Sequence, residues 1–180
     1  MIALRLLIVL VAGLVAVGCG EEEAADNAVE ADEQNTVRLD GLRYRVNLFR
    51  QLNPAVEPDE AIYGGPRPGE GEGLYAAFLR VCNPSGSEQS PTGDVVLEDA
   101  FGQTFEPLEL EDDNAFAYRP RAIAPDRCLP DPDSAAARTA DGMALVFRVP
   151  FDSAAERPLV LELRGAGDGD AGRARIILDL

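Results

Sequence analysis

From residue 36 to the end of the chain, apolar residues recur at every second position rather than every third or fourth. That period confines the segment to strands with one buried face. In RLDGLRYRVNLF, Leu42, Tyr44, Val46 and Leu48 fall on one face, with Arg43, Arg45 and Asn47 opposite. GLYAAFLRVC, DVVLEDAFGQTFEPL, MALVFRVPF, PLVLELRG and RARIILDL follow, and in the last of these Ala174, Ile176, Leu178 and Leu180 share a face. Turn signals separate them: Asn83-Pro84-Ser85-Gly86, Ala100-Phe101-Gly102-Gln103, Asp131-Pro132-Asp133, and the stretch from Gly165 to Gly172. Beyond the N-terminal region no amphipathic helix is expected, SAAAR at 134–138 giving one short turn at most. Roughly seven short strands with regular turns predict an all-β, antiparallel β-sandwich over residues 36–180, long enough for one domain with its own core.

The N-terminus has a different grammar. A cation at Arg5, an apolar run from Leu6 to Val17 and then Gly18-Cys19 follow the order of a secretory leader, here residues 1–18. The run is shorter than the roughly 20 residues that span a bilayer core. Ala16-Val17-Gly18 before Cys19 resembles the lipobox of bacterial lipoproteins, with Ala16 where that motif more often has Leu. The resemblance implies cleavage before Cys19 and acylation of its thiol, and two acyl chains suffice for stable anchoring where one does not. The expected location is the extracytoplasmic face of the cell membrane, with the membrane as a partner through the lipid. The alternative is an ordinary secretory leader with Cys19 as a bystander. Residues 20–35, GEEEAADNAVEADEQN, carry seven carboxylates and no cation, so residues 19–35 are expected to be a disordered acidic tether that holds the domain clear of the bilayer.

Charge excludes one class of partner. The net charge is −16, and removal of Arg5 with the leader makes it about −17. Nucleic-acid binding needs clustered cations, so none is expected.

Cys82 and Cys128 are the thiols that remain after Cys19. In a compartment where disulfides persist, a Cys82–Cys128 bridge is the economical pairing, and two buried free thiols are the alternative.

LYAAFLRVCN, LEDAFGQTFEPLE, IAPDRCLP, GMALVFRVPF and PLVLELR together resemble the telokin-like, immunoglobulin-like sandwich domains common in lipoproteins of Gram-positive bacteria. Asn83, the Asp-x-x-Gly turn Asp99 to Gly102, Gly142, Phe147 and Pro150 occupy the matching places. The resemblance implies an immunoglobulin-like fold over residues 36–180. That family is largely without assigned biochemical activity.

The residue types present narrow the chemistry further. With no histidine and no lysine, there is no base for a Ser-His, Cys-His or Ser-Lys nucleophile. Ser85, Ser87, Ser90, Ser134 and Ser153 sit in turn contexts, and the carboxylate clusters Glu109 to Asp113 and Asp131 to Asp133 read as solvated loops. No enzyme activity and no cofactor are expected. A zinc or copper site lacks ligands, whereas calcium takes carboxylates and carbonyls. Asp131, Asp133, Asp168 and Asp170 are the weak candidates for it. Gly167, Gly169 and Gly172 match a GxGxxG pattern, but a strand follows where a dinucleotide loop needs a helix, so a hairpin is expected.

Residues 53–73, NPAVEPDEAIYGGPRPGEGEG, form the longest stretch without periodicity, and loops of that length are usually functional or disordered. Ile62, Tyr63 and Arg67 make it a candidate interaction loop, but the favoured reading is an insertion that packs Ile62 and Tyr63 back onto the sandwich rim. The functional expectation is a membrane-anchored, non-catalytic interaction module with an envelope protein partner. A calcium- or cationic-solute-binding lipoprotein is the alternative.

Overall fold

The computed structural model describes residues 30–167 and 172–178. The predicted leader, Cys19 and the tether as far as residue 29 lie outside these residues. No described helix is long and apolar enough to cross a membrane.

Two sheets stack face to face. The first has the order β1 (Glu30–Asp32), β10 (Arg173–Leu178), β9 (Leu159–Arg164), β5 (Asp94–Glu98), β6 (Thr104–Phe105). The second runs β2 (Val37–Leu39), β3 (Leu42–Leu52), β4 (Glu72–Cys82), with the far edge of β4 shared by β8 (Met143–Pro150) and the short β7 (Cys128–Leu129). Among the described residues, the named strands pair antiparallel except β1 with β10, which is parallel. The chain is therefore an all-β sandwich. Tyr44, Tyr75, Phe147, Leu97, Leu161 and Ile176 are among the side chains that fill the space between the sheets.

The predicted domain start at residue 36 moves upstream. Glu30–Asp32 pairs with Arg175–Ile177, and Gln34 N–H donates to Val46 C=O (2.9 Å), so residues 30–35 belong to the fold. Ladder hydrogen bonds order a segment whose composition alone gives it little to bury.

The alternation in β3 breaks at one point. A bulge between Val46 and Leu48 shifts the register, so Leu48 leaves the core face and Phe49 takes the inward place against Tyr75. A bulge adds one residue to one strand and so reverses the parity of the positions beyond it. The Phe49 N–H donates to Glu33 Oε1 (3.0 Å).

A second apolar cluster covers the outer face of the second sheet. Leu74, Ala76 and Phe78 of β4 and Val146 of β8 meet Ile62 and Tyr63 there, with Leu108, Leu110 and Phe116 packed against them. Burial on both faces explains why LYAAFL is apolar at every position, in contrast to the alternating β10. The 106–120 segment also closes the free edge of β8: Leu108 N–H donates to Val146 C=O (2.7 Å) and Tyr118 N–H to Ala144 C=O (2.9 Å).

Three short helices depart from the helix-free expectation: α1 (Asp59–Tyr63), α2 (Ala135–Ala140) and α3 (Phe151–Ala155). The Ser134 hydroxyl caps α2 by accepting the Ala137 N–H (3.1 Å), which extends SAAAR past a single turn.

Candidate functional site

One end of the sandwich gathers three connections: residues 53–71 between β3 and β4, residues 99–103 between β5 and β6, and residues 151–158 between β8 and β9. Asp99 organises the second of them. Its Oδ1 accepts the N–H groups of Phe101 (2.9 Å) and Gln103 (2.9 Å), with Asp99 itself buried and Ser153 of α3 near the same carboxylate. Burial pushes the carboxyl up, but these donors outweigh it and hold it below the usual range. Gly102, at φ +81°, completes the turn.

A side-chain-locked turn thus carries Phe101 at its tip, 77% exposed. Phe151, two residues from Ser153, is 46% exposed, and Val56 in the first connection is 55% exposed. Phe151 also lines a shallow depression of about 460 Å³ with Gln51, Pro54, Pro68 and Gly73. Exposed Glu57, Glu60, Asp152 and Glu156 lie in the same connections. Large apolar groups exposed at one end of the sandwich among carboxylates can bury against an apolar surface with a cationic rim. The sequence alone assigns Phe101 only to a turn; an aromatic inside Ala100-Phe101-Gly102-Gln103 is the signal that points further.

A larger groove of about 670 Å³ lies between β5 and the 106–120 segment, lined by Val96, Glu106, Leu108, Leu110, Tyr118 and Arg119. Tyrosine hydroxyls near it are already engaged. Thr92 N–H donates to Tyr44 Oη (3.1 Å), and Tyr118 Oη donates to Thr92 C=O (2.7 Å). Burial pushes the Tyr44 hydroxyl up to about 12, against the Thr92 hydrogen bond, and burial raises Tyr118 as well. Both phenols therefore serve as neutral clamps on the entry to β5.

Of the sequence-predicted residues, Cys82 and Cys128 are brought together as a disulfide between β4 and β7. Ile62 and Tyr63 are buried in the outer cluster, packed back onto the sandwich and not presented as an interaction loop; Arg67 remains exposed. The physical reason is local. Pro58 and Gly64 bound a single helical turn, Gly64 in the left-handed conformation, and that turn directs both apolar side chains onto β4. Asp131 pairs with Arg121 (2.6 Å), and the Asp131 and Asp133 carbonyls accept from Ser134 and Arg138. Asp168 and Asp170 lie outside the described residues, as does Cys19. Among the described residues no three acidic or cysteine side chains converge as a metal site.

No protein-family model matches the sequence, and no curated protein is significantly similar to it. Two solved structures from Bacillus subtilis share the fold. One is the ycdA protein, provisionally assigned as a lipoprotein, at 12% identity and a TM-score of 0.54; the match covers 83% of this chain. This chain spans only 39% of that protein's length. The other is the yjhA protein, at 11% identity and a TM-score of 0.51, with 82% of this chain and 99% of that one covered. At these identities the likeness extends to the sandwich fold and no further.

Proposed function

We propose that this chain is an extracytoplasmic lipoprotein, held to the membrane by acylated Cys19, whose sandwich is a non-catalytic interaction module. The observation that carries the reading is Phe101, large, apolar and solvent-facing on a turn that the buried Asp99 carboxylate braces through the Phe101 and Gln103 N–H groups. Rigid aromatic anchors lose little entropy on binding and are the residue type on which interfaces concentrate their energy. The leader with its lipobox-like end supports the anchoring, and so does the resemblance to telokin-like lipoprotein domains.

Two experiments test the two halves. Cys19→Ser should release the protein from the membrane fraction; continued partitioning with membranes refutes anchoring by acylation. A photo-crosslinker at Gln103 should capture a defined envelope neighbour from intact cells. Phe101→Ser should abolish that capture with an unchanged melting curve, and capture that survives the substitution refutes the interaction reading.

A further inference from the structure

The outer face of the second sheet carries a feature at odds with the charge of the chain. Arg38 of β2, Arg43 and Arg45 of β3 and Arg80 of β4 all alternate with inward-facing residues and so share that face. Arg38 lies directly opposite Arg43, and Arg45 directly opposite Arg80. Neighbouring strands ~4.8 Å apart and a two-residue rise of ~7 Å place the four in a flat patch about 10 Å across. Like charges directly opposite each other destabilise a sheet. At the Arg45–Arg80 rung, compensation comes from Asp141, which pairs with Arg80, and from Asn47, which accepts from Arg45 Nε (2.5 Å).

The patch has a defined place relative to the chain's entry. Arg43 follows the Asp40-Gly41 turn, which meets the β9–β10 connection where the Ala166 N–H donates to Asp40 Oδ2 (2.9 Å). Because β1 runs parallel to β10, with Glu30 opposite Arg175 and Asp32 opposite Ile177, the chain enters from that same end of the sandwich. Phe101 and Phe151 sit at the other end.

We propose that this arginine patch docks on the phosphates of anionic lipid headgroups, laying the domain against the bilayer instead of clear of it. The proposal rests on the anchoring reading above. Net charge does not forbid it, because at physiological salt fields decay over ~8 Å, so the bilayer senses the four arginines and the Asp141 carboxylate among them more than carboxylates on the rest of the surface. Guanidinium forks match phosphate oxygens in geometry.

The test uses the acylated protein from the full chain, reconstituted in vesicles of phosphatidylcholine or of phosphatidylglycerol, treated with phenylglyoxal and mapped by mass spectrometry. On phosphatidylglycerol, modification of Arg43 and Arg45 should fall about fivefold, the scale for one arginine near an anionic surface. Exposed Arg67 and Arg157 should be unchanged, and the protection should disappear in high salt. The variant carrying Arg43→Gln and Arg45→Gln should lose protection at Arg80. Equal modification on both lipids overturns the proposal. Protection on both that vanishes when Glu21, Glu22 and Glu23 are changed to Gln also overturns it, assigning the patch to the chain's own acidic segment. Failure to float with either vesicle refutes the anchoring itself and is distinguishable from failure of docking.

Discussion

Asp59 grips Arg50 with both carboxylate oxygens: Nη1 donates to Oδ2 (2.9 Å) and Nη2 to Oδ1 (2.5 Å), while the Asn53 N–H also donates to Oδ2 (2.8 Å). The Arg50 guanidinium lies 5.7 Å over the Phe78 ring, so the pair ties the start of α1 to the middle of the outer face of the second sheet. The Arg50 hydrogen bonds hold the Asp59 carboxyl below its ordinary range despite burial. Asp59→Asn should cost about 1.5–3 kcal/mol in urea denaturation. A carboxyl depressed in the folded state contributes stability above the unfolded value of 3.8 and loses it as pH falls through the folded value. Between about pH 6 and about pH 3 the wild type should therefore lose more stability than Asp59→Asn does; parallel losses would contradict this assignment.

Tyr63→Ala is expected to act through stability. Removing a buried aromatic from the outer cluster should cost about 3 kcal/mol, whereas Arg67→Ala, in the same connection but exposed, should stay within about 0.5 kcal/mol. Equal melting temperatures for wild type and Tyr63→Ala would show that the cluster contributes little.

The Cys82–Cys128 bridge closes a sequence separation of 46 residues and holds β7, which pairs with β4 at only two positions. Replacing both cysteines by serine should cost about 2–4 kcal/mol and expose the 119–134 segment to proteolysis. Two reactive thiols in the denatured, unreduced protein would refute the bridge.

Gly142 is buried where a Cβ would come within 2.6 Å of the Phe78 backbone. Gly142→Ala should cost about 1–3 kcal/mol by forcing β8 from β4, while Gly86→Ala, with open space around it, should melt like the wild type. Indistinguishable melting of the two variants would show that the sheet yields at no cost.

Deleting residues 173–180 removes β10, an interior strand flanked by β9 and β1. The remaining chain should fail to fold cooperatively, since Ala174, Ile176 and Leu178 leave the core, β1 loses its partner and β9 loses one of its two. A soluble truncation with a sharp melting transition would contradict this.

Much of the architecture is legible in residue types because two-residue periodicity and sheet burial are the same physics seen twice. Each segment that reads as a strand contains one, and Asp99 to Gly102 forms the expected turn. The features that escape depend on contacts distant in sequence. Leu48 falls on the inward face of the expected strand because nothing in RVNLF announces a bulge. β1 and β7 are too short to show a period and exist because β10 and β4 offer them edges. That Ile62 and Tyr63 pack back onto the sandwich is legible, but the face that receives them is not, because it belongs to a strand whose continuous apolar run hides its second buried side. Phe101 and the arginine patch are visible as letters, but only the fold shows that one is a rigid tip and the other a single surface.

The parallel pairing of β1 with β10 also has a mechanical meaning. Tension drawn back along the chain through Glu30 acts parallel to both strands, so the rungs from Glu30 to Glu33 are loaded in shear together instead of being peeled one by one. Arg175, paired with Glu30 on one side and Glu98 on the other, carries part of that load into the body of the sheet. A chain pulled at its N-terminal side would be gripped where a peeling strand would unzip.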